Sequence, residues 1–545
     1  MKKINGFGIH ENGAVGRKTM DRLKEIFGEK LRERDCVWAE GGYTLEFRID
    51  PELGDCYSLI PGKNTVLLSG GRESNLFAAL GRFMTESEFD GRGGFIPPHC
   101  SLHHAYKIQL RGIYFATHFY NYYHEAPLDK IYAVIADMAL RGCNPLLVWF
   151  DMHHYSGIHS EKAEKMTERL KRILHYAESV GIEPSLLMLA NEGFDGTLET
   201  VRAENRIQNG YTSLMAGFYN TEICPSKQGG TEEILRQRRE VLEAFSDIRL
   251  KYFCIWPYDQ GGCNCAECAP WGINGYLKLL SGLKNVIKSV FPDAELILST
   301  WFFDRFTSGE WEGILKRIKT KKLPVKPEYI MAYFFDELPD AIKENGLPEE
   351  IKFISFPEIS MQGASPWGGF GANPLPNFLN KNSFPEIYRG GFPYSEGIFE
   401  DINKWVCLRA YSGYRDSVAD SVREYLKHEF CCSSEELAEA VLRMENTLPR
   451  NIYEDNGLLH CDIASPAHVF QIYETVMKYD ALLPEKLRLG WKWRIIFCRA
   501  VIDRELVIHR GIPSSSAECQ ARFSELVRLY YADHANEYVK PPLGK

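Results

Sequence analysis

Between residues 108 and 405, short apolar runs alternate with amphipathic stretches. The runs are QLRGIYFAT (109–117), NPLLVWFD (144–151), PSLLMLAN (184–191), YFCIWPYD (252–259), ELILSTWFFD (295–304), YIMAYFFD (329–336), KFISFPEI (352–359) and YRGGFPYSE (388–396). Short continuous apolar runs read as strands buried on both faces, as in a parallel sheet. Between them, LDKIYAVIADMALRG (128–142), KAEKMTERLKRILHYAESVG (162–181) and GYLKLLSGLKNVIKSVF (275–291) space their apolar residues as helices do. Eight strand–helix units over roughly 300 residues predict an α/β fold, a (β/α)8 TIM barrel with long loops. A doubly wound sheet is the alternative. It would need a glycine-rich phosphate loop after its first strand, and none follows.

The pattern changes on either side of this span. Upstream, YTLEFRI (43–49) alternates like a strand and NTVLLSG (64–70) is a short apolar run. ESNLFAALGRFMTES (73–87) has helical spacing, so a small α/β domain is expected over 1–105, with PPHCSLHHAYK (97–107) as its linker. The glycines before that helix lack the Lys-Ser/Thr of a phosphate loop. Downstream, SVADSVREYLKHEF (417–430), SEELAEAVLRMENTL (434–448) and AHVFQIYETVMKYDALL (467–483) predict a helical domain over 406–545. The barrel domain is then 106–405. SPWGGFGANP (365–374) reads as a glycine-rich loop on its top face, either a lid or a plain connection.

Catalytic groups of such barrels sit at the C-terminal ends of the strands. Nearly every predicted strand here ends in a carboxylate: Asp151, Glu192, Asp259, Asp304, Asp336, Glu358 and Glu396. Trp149, Trp256, Tyr258, Trp301, Phe302, Phe303, Tyr333 and Tyr394 flank them. An acid at a strand end also serves as a helix cap, so any one of these has a structural reading. Together they form what glycosidic bond hydrolysis requires. One carboxylic acid protonates the leaving oxygen, a second carboxylate supports the oxocarbenium-like centre or activates water, and rings meet the C–H faces of a sugar. His118, His153 and His154 lie near the same face, each as a hydroxyl ligand or as a hydrogen-bonded structural residue.

The 545-residue chain is 45% apolar and 25% charged, with a net charge of −9. It has no polyanion-binding signature, which argues against nucleic acid as a partner. No run of about 18 apolar residues suggests a membrane span. The start, MKKINGFGIHENG, has no apolar secretory core, so a cytoplasmic enzyme with mostly reduced thiols is expected. A glycan or oligosaccharide is the expected partner, and homo-oligomers remain open.

Two segments carry a family resemblance. LRGIYFATHFYNYYHEAPLDKIYAVIADMALRGCNPLLVW (110–149) resembles the first barrel unit of β-N-acetylhexosaminidases, and RGGFPYSEGIFEDINKW (389–405) resembles their last strand. The upstream α/β unit looks like the N-terminal domain those enzymes share with α-glucuronidases. The resemblance implies an exo-acting hydrolase of a non-reducing terminal sugar. It assigns Arg111, Glu396 and Tyr394 to sugar binding, with Trp256, Trp301 and His153 added as top-face groups. It also implies an Asp-Glu pair after strand four, where this chain has Asp259-Gln260. Gln cannot act as an acid. Asp259 is therefore the first candidate for catalysis, with Glu192, Asp336 and Glu358 as partners. The alternatives are an α-glucuronidase-like inverting hydrolase and a non-catalytic glycan-binding relative.

Asp259 opens the loop DQGGCNCAEC, in which Cys263, Cys265 and Cys268 are spaced C-x-C-x-x-C. Such spacing suits tight metal ligation, a packed or disulfide-bonded loop, or redox chemistry. A structural zinc would need a fourth ligand, with Cys254, His153 and His154 as candidates. No cofactor is expected for catalysis itself.

Overall fold

A computed structural model describes residues 6–10, 15–203, 207–208, 211–212, 221–258, 261–334, 337–360, 370–382, 387–413, 417–447, 452–463 and 465–532. Its centre is one parallel sheet. The first strand comes in two pieces, Leu110–Arg111 and Ile113–Phe115. Strands two to seven are Pro145–Trp149, Glu183–Leu189, Tyr252–Trp256, Glu295–Ser299, Tyr329–Met331 and Lys352–Ser355. The eighth is again in two pieces, Tyr388–Gly391 and Tyr394–Ser395.

Every neighbouring pair is parallel, and the sheet closes on itself. Gly391 pairs with Arg111 below the break in strand one, and Tyr394 pairs with Tyr114 above it. Backbone bonds from Gly112 to the Gly391 carbonyl (3.0 Å) and from Tyr114 to the Pro393 carbonyl (3.0 Å) complete the seam. Gly112 is required there, because a Cβ would sit 2.5 Å from the Phe392 ring. The expected TIM barrel is therefore what the chain forms. The apolar runs follow from it, since each strand is covered by helices outside and by side chains inside.

A helix follows each strand: Leu128–Leu140, Glu161–Ser179, Gly230–Ala244, Tyr276–Val290, Glu310–Lys319, Asp340–Asn345, Pro376–Asn382 and Asp401–Tyr411. The last runs through position 405, where the sequence reading had placed a domain boundary. Its residues are nearly all buried, a pattern without the polar face that marks a terminal barrel helix.

The upstream segment forms a six-stranded sheet ending at Ala105, with helices Arg17–Glu33 and Glu73–Glu86. The second helix lies so close to Leu128–Leu140 that a Cβ on Gly81 would stand 2.0 Å from the Leu140 carbonyl oxygen. Downstream, the described residues form the helices Val418–Phe430, Glu435–Arg443, Pro466–Leu482, Glu485–Leu489, Trp491–Ile508 and Ala517–Tyr530. They are interrupted by an antiparallel hairpin, Ile452–Asp455 with Leu458–Cys461. The helical region expected here thus also carries one short hairpin. Asn456 and Gly457 both have positive φ (51° and 76°), the conformation an Asn-Gly hairpin turn requires.

The three parts meet in a buried charge network. Arg141 grips Asp401 with both terminal nitrogens, at 2.8 and 3.0 Å, and Glu429 at 2.9 Å. Lys492 bridges Glu429 and Asp137, and Lys30 from the upstream domain pairs with Asp137 at 2.9 Å. Removing one partner leaves an uncompensated buried charge. Arg141→Ala is therefore expected to cost about 3 kcal/mol of stability, measured as a shift of the denaturation midpoint at unchanged slope.

Candidate active site

Side chains near the C-terminal ends of the strands form an aromatic floor, and this end of the barrel is the cup. Tyr114, Trp149, Trp256, Tyr333 and Phe356 point into the barrel and are buried, with Trp301 and Tyr394 packed against them. Phe356 lies at the middle of this floor. Its ring stands 4.9 Å from Trp256, 5.5 Å from Trp301, and 5.7 Å from both Tyr114 and Tyr394. Alternation along the strands decides this. Tyr114, Trp149, Trp256 and Phe356 fall on the inward pleat near the ends of strands one, two, four and seven.

The loops above the floor hold backbone that few side chains adopt. Phe119 and Tyr120 after strand one, and Phe302 and Asp304 after strand five, all have φ near +60°. Left-handed bulky residues of this kind cluster at functional sites.

Polar groups ring the cup. Glu192, just past strand three, is 1% exposed. It accepts from the His153 main-chain N–H at 3.1 Å and from the Trp149 indole at 3.3 Å, and His153 Nδ1 lies 2.7 Å from the same carboxylate. Beside it, Asp151 faces His154 Nδ1 at 2.7 Å. Burial opposes charge on both, but their hydrogen bond and mutual attraction prevail. The Asp151 carboxyl is held below its ordinary range, and the half-exposed His154 above its own. His118 is buried under this group, and burial pushes it down to about 3.

Glu396 is the opposite case. It is buried, and the charges of Glu358 and Glu400 add to burial, so its carboxyl is pushed well above the carboxylate range. One oxygen accepts from the Tyr394 hydroxyl at 2.9 Å. Glu358, on the neighbouring strand end, accepts from the Ser360 amide and hydroxyl, both at 3.0 Å. The site thus contains carboxyls in contrasting environments, the condition for dividing acid and base roles.

Sequence reading missed Glu222. It lies about thirty residues beyond strand three in the chain and returns to within reach of the Glu192 charge. Burial and then that charge push it up to about 8. Nothing in strand-end spacing marks such a residue. Because its native pKa exceeds its unfolded one, the native state binds the extra proton, and stability falls as pH rises from about 4.5 to about 8. Glu222→Gln cannot lose that proton. Its melting temperature is expected to gain on the wild type progressively across this window, and to match it below pH 4.5. Thermal melts across the window check this.

The remaining candidates fall out as follows. Arg111 is not at the cup. It lies at the opposite end of strand one, where its guanidinium donates to Asp55 (3.1 Å), the Ile108 carbonyl (2.7 Å) and the Gly142 carbonyl (3.0 Å) and stacks on Tyr106. Its sugar-binding assignment is corrected to one of tying the upstream domain to the barrel. Asp304 accepts from Glu310 N and Trp311 N, so it caps the following helix. Asp259, Gln260 and Asp336 lie outside the described residues, as do positions 365–369 of the 365–374 loop. Glu192, Glu358, Glu396, Tyr394, Trp256, Trp301 and His153 are brought to the same end of the barrel.

The cysteines form a group, but with none of the partners first considered. Cys254 is inside the barrel, and His153 and His154 are engaged with Glu192 and Asp151. The fourth thiol is Cys224, from the loop after strand three. Among the described residues no helix is long and apolar enough to cross a membrane.

No family model and no curated protein matches this chain. Solved structures do. A GH20 β-N-acetylhexosaminidase from Streptomyces coelicolor superposes with a TM-score of 0.52 at 13% identity, over 78% of this chain and 92% of that one. A family 89 glycoside hydrolase from Clostridium perfringens, in complex with its substrate GlcNAc-α-1,4-galactose, gives 0.55 at 13% identity over 94% of this chain. This chain spans only 64% of that enzyme's length. A GH138 enzyme targeting pectin rhamnogalacturonan II gives 0.53 at 9% identity, over 96% and 74%. The fold is thus shared with glycoside hydrolases of several families.

Proposed function

We propose that this chain is an exo-acting glycoside hydrolase that removes a non-reducing terminal sugar from a glycan or oligosaccharide. The observation that carries the proposal is the cup itself: a floor of rings beneath carboxyls with unlike hydrogen-bonding environments. The floor offers C–H stacking surface for one pyranose. Glu192, gripped by donors on two sides, is built to remain an acceptor and to support positive charge at the anomeric carbon. Asp259 follows strand four and is the acid assigned to the leaving oxygen. Glu396, kept neutral by burial, keeps a proton to donate to a sugar hydroxyl, and Tyr394 orients it. Glu358 and Asp336 are the further candidates for the second carboxylate. The hexosaminidase and the GlcNAc-bound family 89 enzyme of like fold support an N-acetylhexosaminide as the first substrate to test.

One observation favours a second reading. His154, raised above its ordinary pKa and 41% exposed at the side chain, places a cation on the rim that would suit a uronide carboxylate. The deciding experiment is a panel of aryl N-acetylhexosaminides, hexosides and hexuronides, with the anomeric product followed by NMR. Cleavage of an N-acetylhexosaminide supports the first reading, and cleavage of uronides alone supports the second. Glycan binding without any hydrolysis would sink both and leave a binding protein, consistent with Gln260 after Asp259.

A further inference from the structure

The loop after strand three carries Cys224, and the loop after strand four carries Cys263, Cys265 and Cys268. Their four sulfurs all lie within 4.8 Å of one another. Cys224 Sγ stands 3.8 Å from Cys265 Sγ and 3.9 Å from Cys268 Sγ. A zinc ion bound at about 2.3 Å by four thiolates sets its ligands about 3.8 Å apart along each tetrahedral edge. A disulfide would bring two of them to about 2.05 Å, and all four are free thiols. Cys224, Cys263 and Cys268 are buried, and only Cys265 reaches the surface.

The surroundings are also those of a thiolate site. Main-chain N–H groups of Ser226 and Lys227 face the Cys224 sulfur, and that of Cys265 faces Cys263. The Ser226 hydroxyl lies 3.3 Å from Cys268 Sγ. Such donors stabilise sulfur that carries negative charge and fix ligand orientation. The two loops are already pinned together by Asn191. Its amide donates to the Ile223 carbonyl (3.0 Å) and to the Gly262 carbonyl (2.8 Å), and its oxygen accepts from Gly262 N (2.8 Å). Asn191 thus holds the residue preceding Cys224 and the residue preceding Cys263.

We propose that Cys224, Cys263, Cys265 and Cys268 bind one zinc ion that clamps the loop after strand three to the loop after strand four. Four thiols leave no open coordination position, so the ion is structural. Binding releases the four thiol protons and exchanges them for one tetrahedral ZnS4 centre. The clamp sits four residues from Asp259 on one loop and two residues from Glu222 on the other. It therefore ties together the two loops whose sequences carry these acids.

The test reads metal content, so it is independent of whether any glycoside is cleaved. The full chain, expressed without a polyhistidine tag in zinc-supplemented medium and dialysed, is analysed by inductively coupled plasma mass spectrometry. One zinc per chain is expected, and Cys224→Ser is expected to lose it while the control Cys100→Ser keeps it. Because Cys224→Ser could unfold, the wild type is also reloaded with cobalt(II). The intense visible bands of tetrahedral thiolate cobalt are then expected, and the four thiols are protected from a disulfide reagent until chelator is added. Metal-free protein whose four thiols react at once, iron in place of zinc, or full zinc retention by Cys224→Ser would each overturn the proposal.

Discussion

Asp259→Asn lowers kcat/KM on whichever aryl glycoside is cleaved by about 10²–10⁴-fold, the range that general acid catalysis supplies. Asn keeps the size and hydrogen-bonding reach of the side chain and removes only the proton. Sugar affinity is therefore expected to persist, measured as product inhibition. A second signature separates acid catalysis from positioning. The loss should shrink on substrates with good leaving groups such as dinitrophenol, which need no protonation. An equal loss on every leaving group, or none, would remove Asp259 from the acid role. The acid would then be sought at Glu222, which burial holds protonated up to about pH 8 in reach of Glu192.

If Glu192 has its proposed role, Glu192→Gln is expected to cost on the order of 10³-fold in kcat/KM, whatever the leaving group, because the carboxylate that supports the developing cation is lost. The structure makes this variant sensitive in a second way. His153 N and the Trp149 indole both donate to Glu192, and a Gln amide turned the wrong way would oppose one of them. A merely structural Glu192 would lose melting temperature and activity together. A catalytic Glu192 loses activity at a melting temperature near that of the wild type, and Glu192→Asp, which keeps the charge but withdraws it, recovers little. Thermal melts beside the kinetics distinguish the two.

Much of the architecture was legible in the chain. Eight apolar runs separated by helical spacing could only be buried in a parallel sheet, and the missing phosphate loop decided for a barrel. The Asn456-Gly457 pair is a local hairpin signal, but two residues weigh little against the helical periodicity on both sides. The helix Asp401–Tyr411 runs across position 405 and is buried nearly all round, so it lacks the amphipathic signature by which a sequence marks a last barrel helix.

The strand-end rule places Glu192, Glu358 and Glu396 at one end of the barrel, since a short strand leaves little freedom in where its C-terminal residue emerges. The rule also swept in Asp304, whose carboxylate was already committed to a helix N-terminus. It could not find Glu222, which comes within the influence of the Glu192 charge, or Cys224, which joins three thiols of another loop, because no periodicity constrains the long loop that carries both. Arg111 shows the same division. The chain marked it as an arginine on the first strand, but which end of the barrel its guanidinium serves depends on Asp55, a residue 56 positions away. The sequence alone determined the sheet, because strand and helix periods are local properties of the backbone. Charge states, partners and the fourth thiol were decided only by tertiary structure, because they depend on what distant segments bring within a few ångströms.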